Sequence, residues 1–360
     1  MSEQFQEGKP SPRQSRDWPS QDLEAVPNCP VCGSSKRSPL YQDLEDLVFG
    51  VAPGRWDLAQ CRHCDSAWLD PRPSPASLGR AYKKYFTHSA SDQPIIRRIG
   101  ILRTVLHDAI NDYLNSRFGL HRKPSIAGGH WLIRLVPPLR AAADTKARHL
   151  PPLPDSGGRL LDIGFGNGGF LALAEEIGWD AEGIDFDASA VETARSRGLK
   201  VRHGNVTELH TDGAGFDVIT LSHVVEHVQQ PVLLLEQVFG LLKPGGTLWC
   251  ETPNLNARGH RVFGRYWRGL EPPRHLVLFK TSTLFEIATA IGFVDLKQHW
   301  HGLSAFTVYG ASEAICANGG TTPRGATDTS IFPALLAEIM QMLRPQQREF
   351  ITLTARKPPL

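Results

Sequence analysis

The stretch "LLDIGFGNGG", residues 160–169, constrains this chain more than any other ten residues in it. An apolar run ends in an acid, Asp162, and four glycines follow within six positions. A strand, a glycine-rich turn and a helix in that order bring backbone N–H groups and a helix N-terminus up to a ligand. Gly164, Gly166 and Gly169 match G-x-G-x-x-G. Asp185 closes the next apolar run about 20 residues on, where a carboxylate can accept the hydroxyls of a ribose.

The surrounding sequence alternates. "RLLDIG", "AEGIDFD", "KVRHGN", "FDVITLSH" and "TLWCETP" read as strands. Between them "GFLALAEEIG", "ASAVETARSRG" and "PVLLLEQVFGLL" read as helices, stopped by Gly178, Gly198 and "KPGG". Such alternation predicts a doubly wound parallel sheet. "TSTLFEIATAIG" and "FVDLKQHW" continue it, and "REFITLTARK" reads as a late antiparallel strand beside the sixth. "GLSAFTVYGASEAICANGGTTPRGATDTS" is ambiguous and partly low in complexity.

Two cysteine pairs, "CPVC" and "CRHC", lie 28 residues apart. Each two-residue gap lets both thiolates of a knuckle reach one tetrahedral ion. Cys29, Cys32, Cys61 and Cys64 are therefore the expected ligands of Zn²⁺, and four cysteines leave no open position, which makes that zinc structural. His63 is the alternative ligand in place of a cysteine but is expected to point away from the ion, and Cys250 and Cys316 are expected to be ordinary buried residues. With no export signal in view, metal-bound thiols are favoured over disulfides.

The chain has 360 residues, 41% of them hydrophobic, which suits roughly two domains. A net charge of +2 gives no bulk reason to expect nucleic acid or a membrane surface as partner. The polar, Pro/Ser-rich start "MSEQFQEGKPSPRQSRDWPSQ" reads as a disordered leader rather than a secretory signal, so a cytoplasmic location is expected. The expected division is a leader at 1–27, a zinc ribbon at 28–66, a helical substrate-side or linker region at 67–155 and a nucleoside-binding domain at 156–360. "SPASLGRAYKKYF" and "PIIRRIGILRTVLHDAINDYLNSRF" supply helices of the third part. The fold class is then α/β: a Rossmann-like, seven-stranded, mostly parallel sheet with helices on both faces, plus the small N-terminal zinc ribbon and the helical linker region.

Asp162 separates two classes of nucleotide. A dinucleotide would place a diphosphate on this loop, and a carboxylate at the strand end would repel it. S-adenosylmethionine brings an ammonium and a sulfonium instead. At "LLDIGFGNGGFL", "EGIDFD", "FDVITLSHVVEHV" and "LLKPGGTLWCETPN" the sequence resembles the class I S-adenosylmethionine-dependent methyltransferases, from about Arg159 to Phe293. The resemblance implies that Asp162, Gly164 and Gly166 line the methionine end, that Asp185 holds the ribose and that Phe186 lies against the adenine. Asn205 stands where the family often has an Asp that meets the adenine amino group, and Ser222 and His223 would follow the fourth strand beneath the cofactor.

The four-cysteine head, followed by "WLDPRPSPASLGRAYKKYF", is similar to that of the zinc-binding C-methyltransferases of deoxysugar pathways. That likeness implies a small-molecule acceptor, a sugar or natural-product intermediate, methylated at carbon or oxygen. Those enzymes usually carry a larger C-terminal domain, which is not expected within these 360 residues.

Methyl transfer from a sulfonium needs alignment and removal of the acceptor's proton. "SHVVEHV" offers His223, Glu226 and His227; "RGLEPPRHLVLF" offers Glu271, Arg274 and His275. Histidine titrates near neutrality. In the deoxysugar enzymes a Glu-His pair precedes an apolar stretch; here that pair reads Arg274-His275. His275 is the expected base, His227 a second acid/base or substrate contact, and Glu226 a positioning carboxylate. Arg274 is free to clamp a phosphate or carboxylate, and Tyr266 and Trp267 to wall the acceptor pocket. The competing reading is a methyltransferase that modifies RNA and binds it through the ribbon. It requires a basic head, whereas the head holds "YQDLEDL" and no Arg/Lys stripe.

Overall fold

A computed structural model describes residues 18–82, 100–206, 215–317 and 331–359. Residues 1–17 of the expected leader, the end of "SPASLGRAYKKYF", the start of "PIIRRIG…" and the stretch 318–330 lie outside the described residues.

The head is a set of short strands: β1 (Leu23–Glu24), β2 (Arg37–Leu44), β3 (Trp56–Cys61), β4 (Ala67–Leu69) and β5 (Arg72–Pro73). A short helix α1 (Pro75–Leu78) and then α2 (Gly100–Phe118), α3 (Gly129–Leu135) and α4 (Pro137–Lys146) follow. The alternating part begins with β6 (Arg159–Ile163), α5 (Gly169–Ile177), β7 (Asp180–Asp185), α6 (Ala188–Ser196), β8 (Val201–His203) and β9 (Phe216–Ser222). It continues with α7 (Pro231–Leu241), β10 (Leu242–Pro253), α8 (Arg258–Phe263), β11 (Val277–Leu278), α9 (Thr281–Ile291) and β12 (Val294–His299). The chain ends with α10 (Ser304–Ala317), α11 (Ile331–Leu343) and β13 (Phe350–Arg356). The ambiguous stretch after Trp300 is thus helical up to Ala317.

Seven strands form one sheet in the order β12-β13-β10-β9-β6-β7-β8. β13 runs antiparallel to both of its neighbours, and the pairings among β10, β9, β6, β7 and β8 are parallel. The Rossmann-like α/β class read from the sequence is what the chain adopts. Its central strands are buried on both sides, as helix-covered parallel strands must be. Leu160, Leu161, Val218, Ile219, Leu221 and Leu248 are all at most 2% exposed. Each such side chain is worth roughly 1.5–3 kcal/mol on burial. α5 ends at Gly178 and α9 at Gly292, both in the left-handed region, and the Asp187 side chain caps α6 through Ser189 N and Ala190 N.

A second sheet, β11-β4-β3-β2, joins the head to the rest. Its edge strand β11 comes from beyond β10 in the chain and pairs Val277 with Trp68. Trp56, Trp68, Leu276, Phe279 and Ile219 share one hydrophobic cluster, so head and large sheet are packed on a common core. Among the described residues no helix is long and apolar enough to cross a membrane.

Candidate functional site

The strand order reverses between β6 and β9, and the crevice past the carboxyl ends of such strands is where ligands bind in open α/β sheets. A cavity of about 880 Å³ opens there. The glycine loop, Asp185, Phe186, Asn205, Ser222, His223, His227 and His275 all line it. Asp162 and Glu226 stand behind its wall.

The loop geometry explains two of its glycines. Gly164 has φ +69°, and a Cβ there would lie 2.6 Å from Val224 Cγ2. Gly166 has φ +57° with nothing within 4 Å of a Cβ, which leaves its backbone open to the cavity. Asp185 braces the loop: Oδ2 accepts from Gly166 N at 3.0 Å and Oδ1 from Asp187 N at 2.9 Å. These two backbone contacts fix the orientation of the Asp185 carboxylate, which lines the cavity. Phe186 is 53% exposed and edge-on to Tyr82 at 5.4 Å, which makes it a free aromatic face at the cavity rim.

Asp162 does not face the ligand space directly. It is fully buried, and its Oδ1 accepts from Arg148 Nη1 and, at 2.9 Å, from Thr220 Oγ1. Burial raises its carboxyl above the ordinary range, against the opposing pull of Arg148. Arg148 lines the cavity and lies over Phe170, 3.9 Å from the ring centroid. The guanidinium offsets the Asp162 charge, so a preference for a cationic ligand cannot be assigned to Asp162 alone. Arg148 precedes the recognisable motifs and carries no sequence signal of its own.

The second group of side chains gathers where "SHVVEHV" meets "EPPRHLV". His227 Nδ1 is 2.9 Å from Arg274 O and 3.0 Å from Tyr82 Oη. His275 Nδ1 donates to Gly269 O at 2.7 Å, and its ring centroid lies 4.7 Å from that of His227. One donor atom each from Glu226, His227 and His275 falls within 4.8 Å of the others. Glu226 is wholly buried; Oε1 meets His223 Nδ1 at 3.1 Å and Oε2 has no hydrogen-bond partner among the described residues. Burial works against the Glu226 anion, yet the hydrogen bond and charge of His223 hold its carboxyl below the ordinary range. Burial lowers His275 to about 4, so its ring is neutral at neutral pH. The trio has donor types that suit a cation as well as acid–base work. Beside the trio, two guanidiniums, Arg268 and Arg274, sit on Glu271, whose Oε2 is 3.7 Å from His275 Nε2.

Arg274 does not clamp a substrate. It is 0% exposed, its Nη2 pairs with Asp46 Oδ1 and its Nε with Glu271 Oε1 at 2.9 Å. Trp267 lines the cavity and donates to Glu349 Oε2 at 3.2 Å, whereas Tyr266 is not on the wall. Cys250 is buried as expected; Cys316, on the outer side of α10, is exposed. His301 and Glu251, neither singled out in the sequence, form a further imidazole–carboxylate pair at the cavity.

In the head, all four cysteine sulfurs lie within 4.8 Å of one another. Cys29–Cys64 and Cys32–Cys61 are each 3.6 Å apart. Zinc–thiolate bonds of about 2.3 Å in a tetrahedron place sulfurs about 3.8 Å apart, so the cluster fits that ion. Each knuckle turns through a left-handed residue after its second turn position, Gly33 at φ +72° and Asp65 at φ +61°. His63 is exposed, and its backbone N donates to Cys61 Sγ at 3.4 Å.

Residues 134–298 match the family model described as a methyltransferase domain. That stretch is a methyltransferase domain by this match. A ubiquinone biosynthesis O-methyltransferase of Cereibacter sphaeroides is 37% identical over 124 residues, covering 32% of this chain and 50% of that protein. A probable S-adenosylmethionine-dependent methyltransferase of Mycolicibacterium smegmatis is 32% identical over 101 residues, covering 28% of this chain and 39% of that one. The chain thus matches about half the length of the first of these curated relatives. A solved S-adenosylmethionine-dependent methyltransferase from Archaeoglobus fulgidus aligns with a TM-score of 0.42 and 20% identity, covering 63% of this chain and 96% of that one.

Proposed function

We propose that the protein transfers a methyl group from S-adenosylmethionine to a small-molecule acceptor, a sugar or natural-product intermediate, at carbon or oxygen. The observation that carries this reading is the single cavity wall that joins the glycine loop and Asp185 to His227 and His275. Asp185, Phe186 and Asn205 would hold the cofactor's adenosine, and Gly164, Gly166, Ser222 and His223 its methionine end, with Arg148, backed by Asp162, at its carboxylate. The acceptor stands over His275 and His227. In the step itself the S–CH₃ bond breaks, the bond from methyl to acceptor forms, and the acceptor's proton passes to His275 Nε2.

A base pushed down to about 4 is weak. It suffices because a sulfonium is already an activated leaving group and the main work is alignment. Glu226 holds His223, and Glu271 faces His275, so both carboxylates position rather than react. Cys29, Cys32, Cys61 and Cys64 hold one structural Zn²⁺. It would fix the head, whose strand β4 binds β11 two residues after His275. The division into leader, ribbon, helical region and catalytic domain is part of this proposal. Incubation with methyl-labelled S-adenosylmethionine and a metabolite library tests it: labelled product is expected among hydroxylated small molecules. Label in RNA and in no small molecule would instead favour a ribbon that binds nucleic acid.

A further inference from the structure

The pair His301–Glu251 has no part in the roles above. Glu251, 2% exposed, lies on β10 in register with Ser222 of β9 and Thr352 of β13. Its Oε2 meets His301 Nδ1 at 2.9 Å and accepts from Thr352 Oγ1 at 2.6 Å. Its Oε1 is 3.6 Å from His223 Nε2, and its backbone carbonyl accepts from His223 N at 2.8 Å. The Phe350 ring packs 5.2 Å from the His301 ring and 5.1 Å from that of His223. A buried carboxylate is costly without partners, and these partners meet both oxygens. Burial opposes its ionisation, and the hydrogen bonds from His301 and Thr352 work the other way, so its carboxyl is held below the ordinary range.

An ionised carboxylate only accepts, so in a neutral ring the hydrogen of His301 is on Nδ1 and Nε2 is a bare acceptor. Nε2 makes no hydrogen bond among the described residues, and His301 lines the cavity beside Ser304, Thr307 and Val308 of α10. The buried carboxylate fixes the imidazole by one nitrogen and leaves the other at the cavity wall, where a ligand can reach it.

We propose that His301 binds the acceptor through Nε2, accepting a hydrogen bond from a second hydroxyl group, and that Glu251 and Thr352 are its positioning residues. The acceptor is then polyhydroxylated: one position is methylated at His275 and another hydroxyl is held at His301. This rests on the methyl-transfer reading.

Two measurements test it on the full chain. Histidine ¹⁵N resonances with S-adenosylhomocysteine bound should give His301 a protonated Nδ1 and a bare Nε2, and Glu251→Gln should abolish that preference. A protonated Nε2 with a bare Nδ1 in the wild type would overturn the proposal. The second measurement is labelled-methyl transfer to polyhydroxylated compounds and their singly deoxygenated analogues. The wild type should prefer the former by about tenfold or more in kcat/KM. His301→Phe should lose that preference with S-adenosylhomocysteine affinity within about twofold. A preference retained in His301→Phe, or a wild type that favours the deoxygenated analogue, would overturn it. If the wild type labels nothing at all, the methyl-transfer reading falls, and the resonance experiment still decides the state of His301.

Discussion

Arg274 and Asp46, 228 positions apart in sequence, form an ion pair in which neither side chain is more than 1% exposed. The same guanidinium holds Glu271 and the carbonyl of Ala81, and Asp46 also accepts from Phe49 N, Val51 N and Ala52 N. A turn of the head is thereby locked to the loop that carries His275. Removing one partner of such a pair strands a buried charge at a cost of about 3–5 kcal/mol. Asp46→Ala should therefore lower the thermal midpoint strongly and reduce methyl transfer more than it reduces S-adenosylhomocysteine affinity. An unchanged midpoint would show that the pair carries no such burden.

The four-cysteine cluster should bind about one zinc ion per chain, measurable by metal analysis. Cys61→Ser should lose that ion and expose β3 and β4 to hydrogen exchange. Because β11 pairs with β4, the exchange should spread to the segment around His275. Full metal loss with no change in exchange around Val277 would separate the ribbon from the catalytic loop.

Gly164→Ala should weaken S-adenosylhomocysteine binding by about tenfold or more. The new methyl would lie 2.6 Å from Val224 at φ +69°. The left-handed conformation costs an L-residue roughly 1–2 kcal/mol even with free space, so relief of the clash alone cannot restore it. Calorimetric affinity equal to that of the wild type would mean that the loop tolerates a side chain and is not shaped by the ligand.

The pH dependence should be unusual for a histidine base. His275 is 4% exposed and lowered from 6.5 to about 4. A neutral base is thus present far into acid, and the acid limb of kcat/KM should fall near pH 4 rather than near 6.5. The same shift has a stability consequence. The unfolded chain takes up the proton first, so acidification from about 6.5 to 4 favours unfolding, by about 3 kcal/mol for this group. His275→Gln should remove that part of the pH dependence while lowering turnover by about 10²-fold. An acid limb at 6.5 that survives this substitution would assign the base elsewhere.

The large sheet was legible because its signals are local. The central strands are short apolar runs, and α5 and α9 end at glycines in the left-handed region. The glycine loop, Asp185 and the paired cysteines were legible for the same reason: their spacing is set by one turn or one ion. Arg148, Asp46, Glu251 and His301 were not, because each owes its role to a partner brought close by the fold. Arg148 meets Asp162 and Thr220, and Glu251 meets Thr352 across neighbouring strands. β11 was missed because two residues of "HLVLF" become a strand only by pairing with Trp68. Asp162 illustrates the limit from the other side. The sequence showed its charge, and only the fold showed the arginine that offsets it.

The central claim is that the cradle formed by the glycine loop and Asp185 receives a sulfur-linked nucleoside rather than a dinucleotide. Calorimetry of the full chain with S-adenosylhomocysteine and, separately, with NAD tests it most directly. The account predicts one S-adenosylhomocysteine bound per chain, with affinity lost in Asp185→Ala, and no heat from NAD. Saturable binding of NAD with none of S-adenosylhomocysteine would contradict it.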